Sequence, residues 1–165
     1  MSDNGSANGY GGYIAALWEY PNLCISIFGV QFSNEEGARV YSEAGIDAEV
    51  MPALEAAGED GLLLVRPMMS EEGQFLMQYW RSYEDMDRWA RKLPHARWWQ
   101  WLRHNQSNGV SFYHELYVAK SAEAIYTEGM RPVGPAVFCS TEPARGSDGR
   151  SKDRQRKFIE SAAKA

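Results

Sequence analysis

The fold of this chain is decided by two strand-like stretches, Gln74–Ser82 (QFLMQYWRS) and Phe112–Val118 (FYHELYV). Both are rich in aromatic and other strand-favouring residues, and they bracket a tryptophan-rich helical region. The first stretch ends at Ser82, whose hydroxyl can cap a helix, and Asp85 follows three residues later in the spacing of a capping box. The chain is therefore predicted to pass from strand to helix at Ser82.

The residues before this region predict a strand, a helix and a β-hairpin. Leu23–Phe32 is an almost continuous apolar and β-branched run, which is typical of a central strand buried on both faces. A helical pattern covers about residues 34–57. Leu62–Met69 is a second strand, and the turn at residues 71–73 makes it a hairpin with the strand that begins at Gln74.

Two helical segments and a final strand complete the predicted fold. The apolar face that starts at Met86 is broken or restarted by Pro94 and continues through Trp98 and Trp101, and Val110–Ala119 is the fourth strand. The order β, α, β-hairpin, α, β is that of a ferredoxin-like α+β sandwich. Because the strands lack a clearly solvated face, we expect two sheets to pair into a homodimeric α+β barrel.

The length of 165 residues allows one substantial core and is short for two. We predict a flexible N-terminal arm at 1–20, a ferredoxin-like α+β barrel domain at 21–141 and a flexible basic C-terminal tail at 142–165. Residues 124–126 and 133–139 are candidate short strands, and the last residues of the tail are compatible with a brief helix.

Charge and cysteine content exclude several classes of function. The formal net charge is −5 and many basic residues crowd the C-terminal tail, so the acidic body argues against nucleic acid as a partner. Cys24 and Cys139 lie far apart in apolar runs, which is typical of buried free thiols in a reducing compartment. No apolar run reaches membrane-spanning length, and we expect a cytoplasmic protein with no membrane partner.

Aromatic residues make up 13% of the chain, including six Trp and nine Tyr. Large flat surfaces suit an aromatic or conjugated ligand. An aromatic-rich core combined with a dimer interface explains the same composition equally well.

Several short motifs, in order and spacing, resemble a known protein family. They are Gln78–Ser82 with Glu84–Asp85, Pro94–His95, Trp98, Trp101, His114–Glu115 with Tyr117, Tyr126, and Pro132 with Gly134. The family is the monooxygenase family named after a fumagillin-pathway protein, also catalogued as a domain of unknown function, within the dimeric α+β barrel superfamily. The resemblance covers roughly residues 22–140. Where such proteins often have His-Glu-Thr-Tyr, this chain has Leu116 in place of the Thr.

The resemblance implies a homodimer with a small-molecule cavity between sheet and helices. The first hypothesis is a cofactor-independent monooxygenase acting on a polyketide, phenolic or conjugated substrate in natural-product biosynthesis. The superfamily also contains isomerases, cyclases and haem-degrading enzymes, so an isomerase or cyclase using the same pocket, or a non-catalytic protein that binds a small ligand or haem, stays open. No flavin or nucleotide fingerprint is present, and we expect no cofactor and no metal, with haem as the alternative.

Strand alternation separates the neighbours His114 and Glu115, because successive side chains point to opposite faces. One interpretation places Glu115 in the cavity wall and makes His114 a hydrogen-bonded structural histidine. The opposite orientation makes His114 the base in the cavity. His95 follows the helix break at Pro94, and its ordinary pKa of about 6.5 also suits a general base.

The remaining candidates are aromatic or basic side chains that could contact a substrate. Arg81 can stabilise negative charge or serve as a structural ion-pair partner, for which Glu115 is a candidate. The predicted substrate-binding residues are Tyr79, Trp80, Arg81, Trp98, Tyr113 and Tyr117.

Overall fold

The computed structural model of the chain describes residues 11–71 and 73–165, where it forms seven β-strands and five α-helices. The strands are β1 (Gly12–Ala15), β2 (Cys24–Phe32), β3 (Leu62–Ser70), β4 (Gly73–Trp80), β5 (Val110–Val118), β6 (Ile125–Thr127) and β7 (Thr141–Pro143). The helices are α1 (Glu35–Ala44), α2 (Ile46–Glu55), α3 (Tyr83–Ala90), α4 (His95–His104) and α5 (Ser151–Ala162). The first ten residues of the predicted arm and Glu72 of the predicted hairpin turn lie outside the described residues. None of the described helices is long and apolar enough to cross a membrane.

Asn22–Val118 is one of two compact units into which the chain divides. It contains a four-stranded antiparallel sheet in the order β3-β4-β2-β5, with α1 to α4 in the two connections. β2 pairs with both β4 and β5, as expected for the central strand predicted at residues 23–32. The predicted hairpin is the β3–β4 pair. The α+β, ferredoxin-like fold predicted from the sequence is confirmed.

Polar caps determine where two of these helices begin. The Asn34 side chain accepts a hydrogen bond from the Gly37 backbone N–H at 2.8 Å at the start of α1. Ser82 Oγ accepts one from the Asp85 backbone N–H at 3.1 Å at the start of α3, so the predicted strand-to-helix transition at Ser82 is confirmed. The α1 helix ends at Gly45, which has the left-handed φ of 68° that favours glycine.

Tryptophans supply much of the core of this unit. Trp80 is fully buried, and its ring centroid lies 5.2 Å from that of Trp89 on α3. Trp98 and Leu102, one turn apart on α4, are buried in the same cluster. The periodic apolar face predicted for this helical region therefore packs as expected from its spacing.

The described residues before Asn22, 11–21, and those after Val118 form the other compact unit. It contains a three-stranded antiparallel sheet in the order β6-β1-β7 and the helix α5. Phe158 of α5 is fully buried. Arg154 is 5% exposed, forms an ion pair with Glu123 and donates a hydrogen bond to the Asp148 carbonyl at 2.8 Å.

This division differs from the predicted domain at 21–141 with two tails. The segment predicted as a flexible tail contains the last two residues of β7 and the twelve residues of α5, and β1 lies within the predicted arm. The candidate strand at 124–126 overlaps β6, whereas the one at 133–139 contains a short 3₁₀ helix, Gly134–Val137. These elements were not predicted as part of a folded unit, because their few buried residues, such as Phe158, lie among many charged residues in the sequence. The flexibility of both ends stays a prediction.

Candidate active site

A cavity of about 610 Å³ lies within the Asn22–Val118 unit, between the sheet and the helices. This volume is in the range of small-molecule binding sites. Its floor consists of side chains from three adjacent strands, and alternation along each strand places them on one face. These residues are Ser26 and Phe28 on β2, Leu76 and Gln78 on β4, and His114 and Leu116 on β5.

His114 lies on the floor of this cavity and is accessible through its open side. Its Nε2 is 2.9 Å from the hydroxyl oxygen of Ser26, which is 2% exposed. Partial burial lowers the pKa of His114 below its ordinary value of 6.5 because the protein replaces water that would stabilise the charged form. The imidazole is therefore neutral at pH 7 and able to accept a proton.

His95 lines the same cavity from the start of α4, but both of its ring nitrogens are occupied. Nδ1 is 2.8 Å from the Ala90 carbonyl oxygen, and Nε2 accepts a hydrogen bond from the Trp99 indole N–H at 2.9 Å. A carbonyl only accepts and an indole N–H only donates, so this arrangement requires the neutral tautomer with the proton on Nδ1. The pKa of His95 is lowered, mainly by burial. The hydrogen bond to Ala90 opposes this effect, and the nearby His114 adds a smaller lowering.

Glu115 is placed away from this cavity, on the opposite face of β5. It is exposed, and the Tyr117 hydroxyl donates a hydrogen bond to its Oε2 at 2.8 Å. That bond raises the pKa of Tyr117. Of the three predicted bases, the structure brings His114 and His95 together and leaves Glu115 outside the cavity they share.

Arg81 is held by Asp85, not by Glu115. Its Nε lies 2.6 Å from Asp85 Oδ2 across one turn at the start of α3. The ion-pair role expected for Arg81 is thus present with a different carboxylate, because that carboxylate lies closer along the chain.

The predicted aromatic contacts fall into two groups. Trp98 lines the cavity, and its indole N–H donates to Glu49 Oε2 at 2.9 Å. Trp80 lies on the same sheet face as Gln78, to whose Oε1 its indole N–H donates at 3.0 Å, but it is fully buried against Trp89 and does not line the cavity. Tyr79 and Tyr113 belong to the opposite face of the sheet, as does Tyr117, and none of the three lines the cavity.

Sequence reasoning missed three cavity residues, Ser26, Gln78 and Trp99, as candidates for the site. Trp99 follows His95 by four residues, and this spacing places two side chains next to each other on a helix. Its ring lies edge-on to Phe112 with centroids 4.8 Å apart, and to His114 at 5.6 Å. The helical spacing from His95 was the available signal, whereas Ser26 could be found only from strand register.

A haem or a metal ion would need ligand atoms in the cavity that are free to bind it. A haem iron would have to displace an existing hydrogen bond to bind Nε2 of either histidine, since Ser26 occupies one and Trp99 the other. Within residues 11–71 and 73–165, no group of three or more His, Cys, Asp or Glu is arranged to hold a metal ion.

Comparison with solved structures supports the fold. The chain is similar to an aldoxime dehydratase, with 19% identity, a TM-score of 0.62, and coverage of 98% of this chain and 48% of the other. It is also similar to the aldoxime dehydratase OxdRE in complex with butyraldoxime, with 20% identity, a TM-score of 0.58, and coverage of 93% and 44%. The chain thus spans less than half the length of either dehydratase. SnoaB, a cofactor-independent oxygenase from Streptomyces nogalater, is a more distant match at 8% identity and a TM-score of 0.42, covering 61% of this chain and 96% of SnoaB.

A search of curated proteins found no match. A family model described as monooxygenase af470-like matches residues 25–134, which include the four-stranded sheet except for its first residue, Cys24, and all of the cavity floor. This match confirms the resemblance inferred from the motifs, and the chain therefore belongs to the monooxygenase af470-like family.

Proposed function

We propose that this protein is a cofactor-independent monooxygenase that oxidises a phenolic or otherwise conjugated small molecule, with His114 as the general base. The observation that carries the proposal is the neutral, accessible imidazole of His114 on the floor of a largely apolar, tryptophan-lined cavity. Membership of a monooxygenase-like family supports the reaction class. The aromatic walls favour a flat, conjugated substrate.

The first chemical step is transfer of a proton from an activated C–H group of the substrate to His114. The base needs an unprotonated nitrogen, so in the competent tautomer Nε2–H donates to Ser26 Oγ and Nδ1 accepts the proton. The carbanion is delocalised over the conjugated system. An apolar cavity keeps water from reprotonating it, which gives dioxygen time to react.

Oxygen then takes up the electrons. The carbanion gives one electron to dioxygen, and the resulting substrate radical and superoxide combine to form a C–O–O⁻ group. The protonated His114 returns its proton to the terminal oxygen, and the hydroperoxide loses water across the remaining C–H bond to leave a carbonyl. The balance is CH₂ + O₂ → C=O + H₂O, with four electrons passing from carbon to oxygen.

The test is oxygen uptake with a panel of conjugated phenols, comparing wild type with His114→Gln. Removal of a general base is expected to lower kcat by at least about 10²-fold. Two matched controls should stay within about twofold of wild type: His104→Gln, a histidine on α4 outside the cavity, and Glu115→Gln on the opposite sheet face. Equal rates in His114→Gln and wild type would refute the assignment.

The second candidate is an isomerase or cyclase, because proton transfer at His114 needs no oxygen. Unchanged turnover under anaerobic conditions favours that reaction over oxygenation. Recovery of a bound ligand unaltered, with no turnover, points to a binding protein. A Soret band in the spectrum of the purified protein would replace the cofactor-free mechanism with a haem-dependent one.

We also propose a homodimer formed through the sheet face that points away from the cavity. That face carries the half-buried apolar side chains of Ile25, Ile27, Phe75 and Met77. Pairing such faces would bury them and produce the expected α+β barrel. Light scattering should give twice the mass of one chain, and Ile27→Glu should lower it to that of a monomer.

A further inference from the structure

Trp99 borders two separate spaces. One is the 610 Å³ cavity, and the other is an open groove of about 630 Å³ along the outer side of α4, which Gln100 and Arg103 also line. Ala96 and Trp99 line both spaces. Since Ala96 contributes only a methyl group, the indole of Trp99 is the larger barrier between them.

A hydrogen bond and several aromatic contacts together fix the orientation of the Trp99 indole. The N–H donates to His95 Nε2 at 2.9 Å. The ring lies edge-on to Phe112 and to His114, and its centroid is 6.2 Å from that of Phe28. A side chain with this many defined contacts occupies one rotamer, so the wall it forms has a defined position.

His95 can hold the indole only while it is neutral. The Ala90 carbonyl fixes the proton on Nδ1 and leaves Nε2 as an acceptor for Trp99. A protonated His95 carries a proton on both nitrogens, so Nε2–H would face the indole N–H and the hydrogen bond would be lost.

We propose that Trp99 sets the length of ligand that the cavity accepts, and that His95 is the positioning residue that holds Trp99 in place. This inference deepens the proposed function, on which it rests only for the assumption that the cavity is the substrate site. A ligand that fills the cavity is expected to stop at the indole. With the indole removed, a longer ligand extends into the groove on the outer side of α4.

Other charged and titratable groups lie near His95 and Trp99, and their protonation could also make the position of Trp99 depend on pH. Most of them are already paired: Asp87 with Arg91, and Glu49 with Arg97 and with the indole of Trp98. Tyr41 on α1 has its pKa raised by burial and stays neutral. His114 is then the group whose change of charge His95 would sense most directly.

The first test measures binding of 4-alkylphenols of increasing chain length by calorimetry under nitrogen. For wild type, the dissociation constant should fall by about fourfold per added methylene until the chain meets Trp99, and then rise. Trp99→Ala should shift this optimum to longer chains, while Gln100→Ala, which changes only the outer groove, should leave it in place. The same optimum in wild type and Trp99→Ala overturns the proposal. If Trp99→Ala does not fold, Trp99→Leu shortens the same wall and replaces it in the test.

The second test separates His95 from a merely structural role. Lowering the pH from about 7.5 to about 4.5 should shift the wild-type optimum to longer phenols as His95 gains a proton. His95→Gln can keep both hydrogen bonds, with its amide N–H₂ toward Ala90 and its oxygen toward Trp99, and does not titrate. Its optimum should match that of wild type at pH 7.5 and stay there in acid. An acid shift of equal size in His95→Gln would refute the role of His95.

These binding measurements use no oxygen chemistry, so they fail or succeed independently of the proposed reaction. A shifted length optimum without oxygen uptake supports the Trp99 wall and contradicts the oxygenase. Oxygen uptake that depends on His114, with no shift in the length optimum, supports the oxygenase and contradicts the Trp99 wall.

Discussion

Asp85 is predicted to be the side chain whose charge contributes most to holding α3 against the end of β4. It is 6% exposed and lies in the first turn of the helix, where a negative charge is favourable. Its two oxygens bind arginines on either side, Arg81 Nε at 2.6 Å and Arg88 Nη1 at 2.8 Å. The bond to Arg81 is the main cause that lowers the pKa of Asp85, ahead of the opposing effect of burial.

The substitution Asp85→Asn removes the charge and preserves the shape. Both arginines are more than half exposed, at 54% and 58%, so water recovers much of each lost ion pair and each costs about 0.5–1 kcal/mol. Loss of the favourable interaction with the helix end adds about 0.5–1 kcal/mol. The free energy of unfolding at pH 7 should therefore fall by about 2 kcal/mol.

Urea unfolding followed by tryptophan fluorescence measures this change. With a slope of about 2 kcal/mol per molar urea, the midpoint should fall by about 1 M. Asp87→Asn is the matched control, since Asp87 lies on the same helix and pairs with Arg91 at the surface, and it should cost less than about 0.5 kcal/mol. Equal losses for Asp85→Asn and Asp87→Asn would show that the buried carboxylate has no special role.

The stability of the protein at low pH gives a second check on Asp85. Because the folded state lowers the pKa of Asp85, its contribution is present above the ordinary value of 3.8 and is lost as the pH falls through the folded value. The difference in stability between wild type and Asp85→Asn should therefore shrink in strong acid. A difference that stays constant across that range would contradict the ion-pair explanation.

Three further predictions concern other parts of the chain. Burial lowers the pKa of His95, so the unfolded chain takes up a proton first and stability falls as the pH drops below about 6.5; His95→Gln should reduce this fall in urea midpoints. A Cβ at Gly29 would lie 2.3 Å from the Tyr113 ring, so Gly29→Ala should cost about 1–3 kcal/mol and recover when combined with Tyr113→Ala. Burial raises the pKa of Cys24 to about 11 and of Cys139 to about 12, so a thiol reagent at pH 7 should label the native protein far more slowly than the urea-unfolded chain.

The fold of Asn22–Val118 was predictable because its signals are local and agree with one another. The apolar run at β2, the hairpin before β4 and the cap at Ser82 each specify an element, and their order leaves one common topology. The other unit was not predictable in this way. Its helix α5 depends on the bond of Arg154 to Glu123, which is far away in the sequence, and on the burial of Phe158.

The sequence predicted the candidate residues of the site but not which of them face the cavity, and the reason is geometrical. Alternation along β5 shows that His114 and Glu115 point to opposite faces, but it does not show which face carries the cavity. That choice depends on how the helices cover the sheet, and the structure places the cavity on the His114 face. Nor does alternation reveal that Ser26 lies beside His114, since this follows from the register of β2 with β5.

The two cavity histidines differ in function because of their hydrogen bonds, although residue type made them equal candidates. His95 donates to a carbonyl and accepts from an indole, so taking up another proton would break a bond that positions Trp99. His114 has a hydroxyl partner, which can accept or donate, so Ser26 can remain bonded to Nε2 whether Nδ1 is bare or protonated. A base must change protonation state during each turnover without losing its position. Of the two histidines, His114 meets that requirement, and the oxygen-uptake and ligand-length experiments therefore assign different outcomes to His114 and His95.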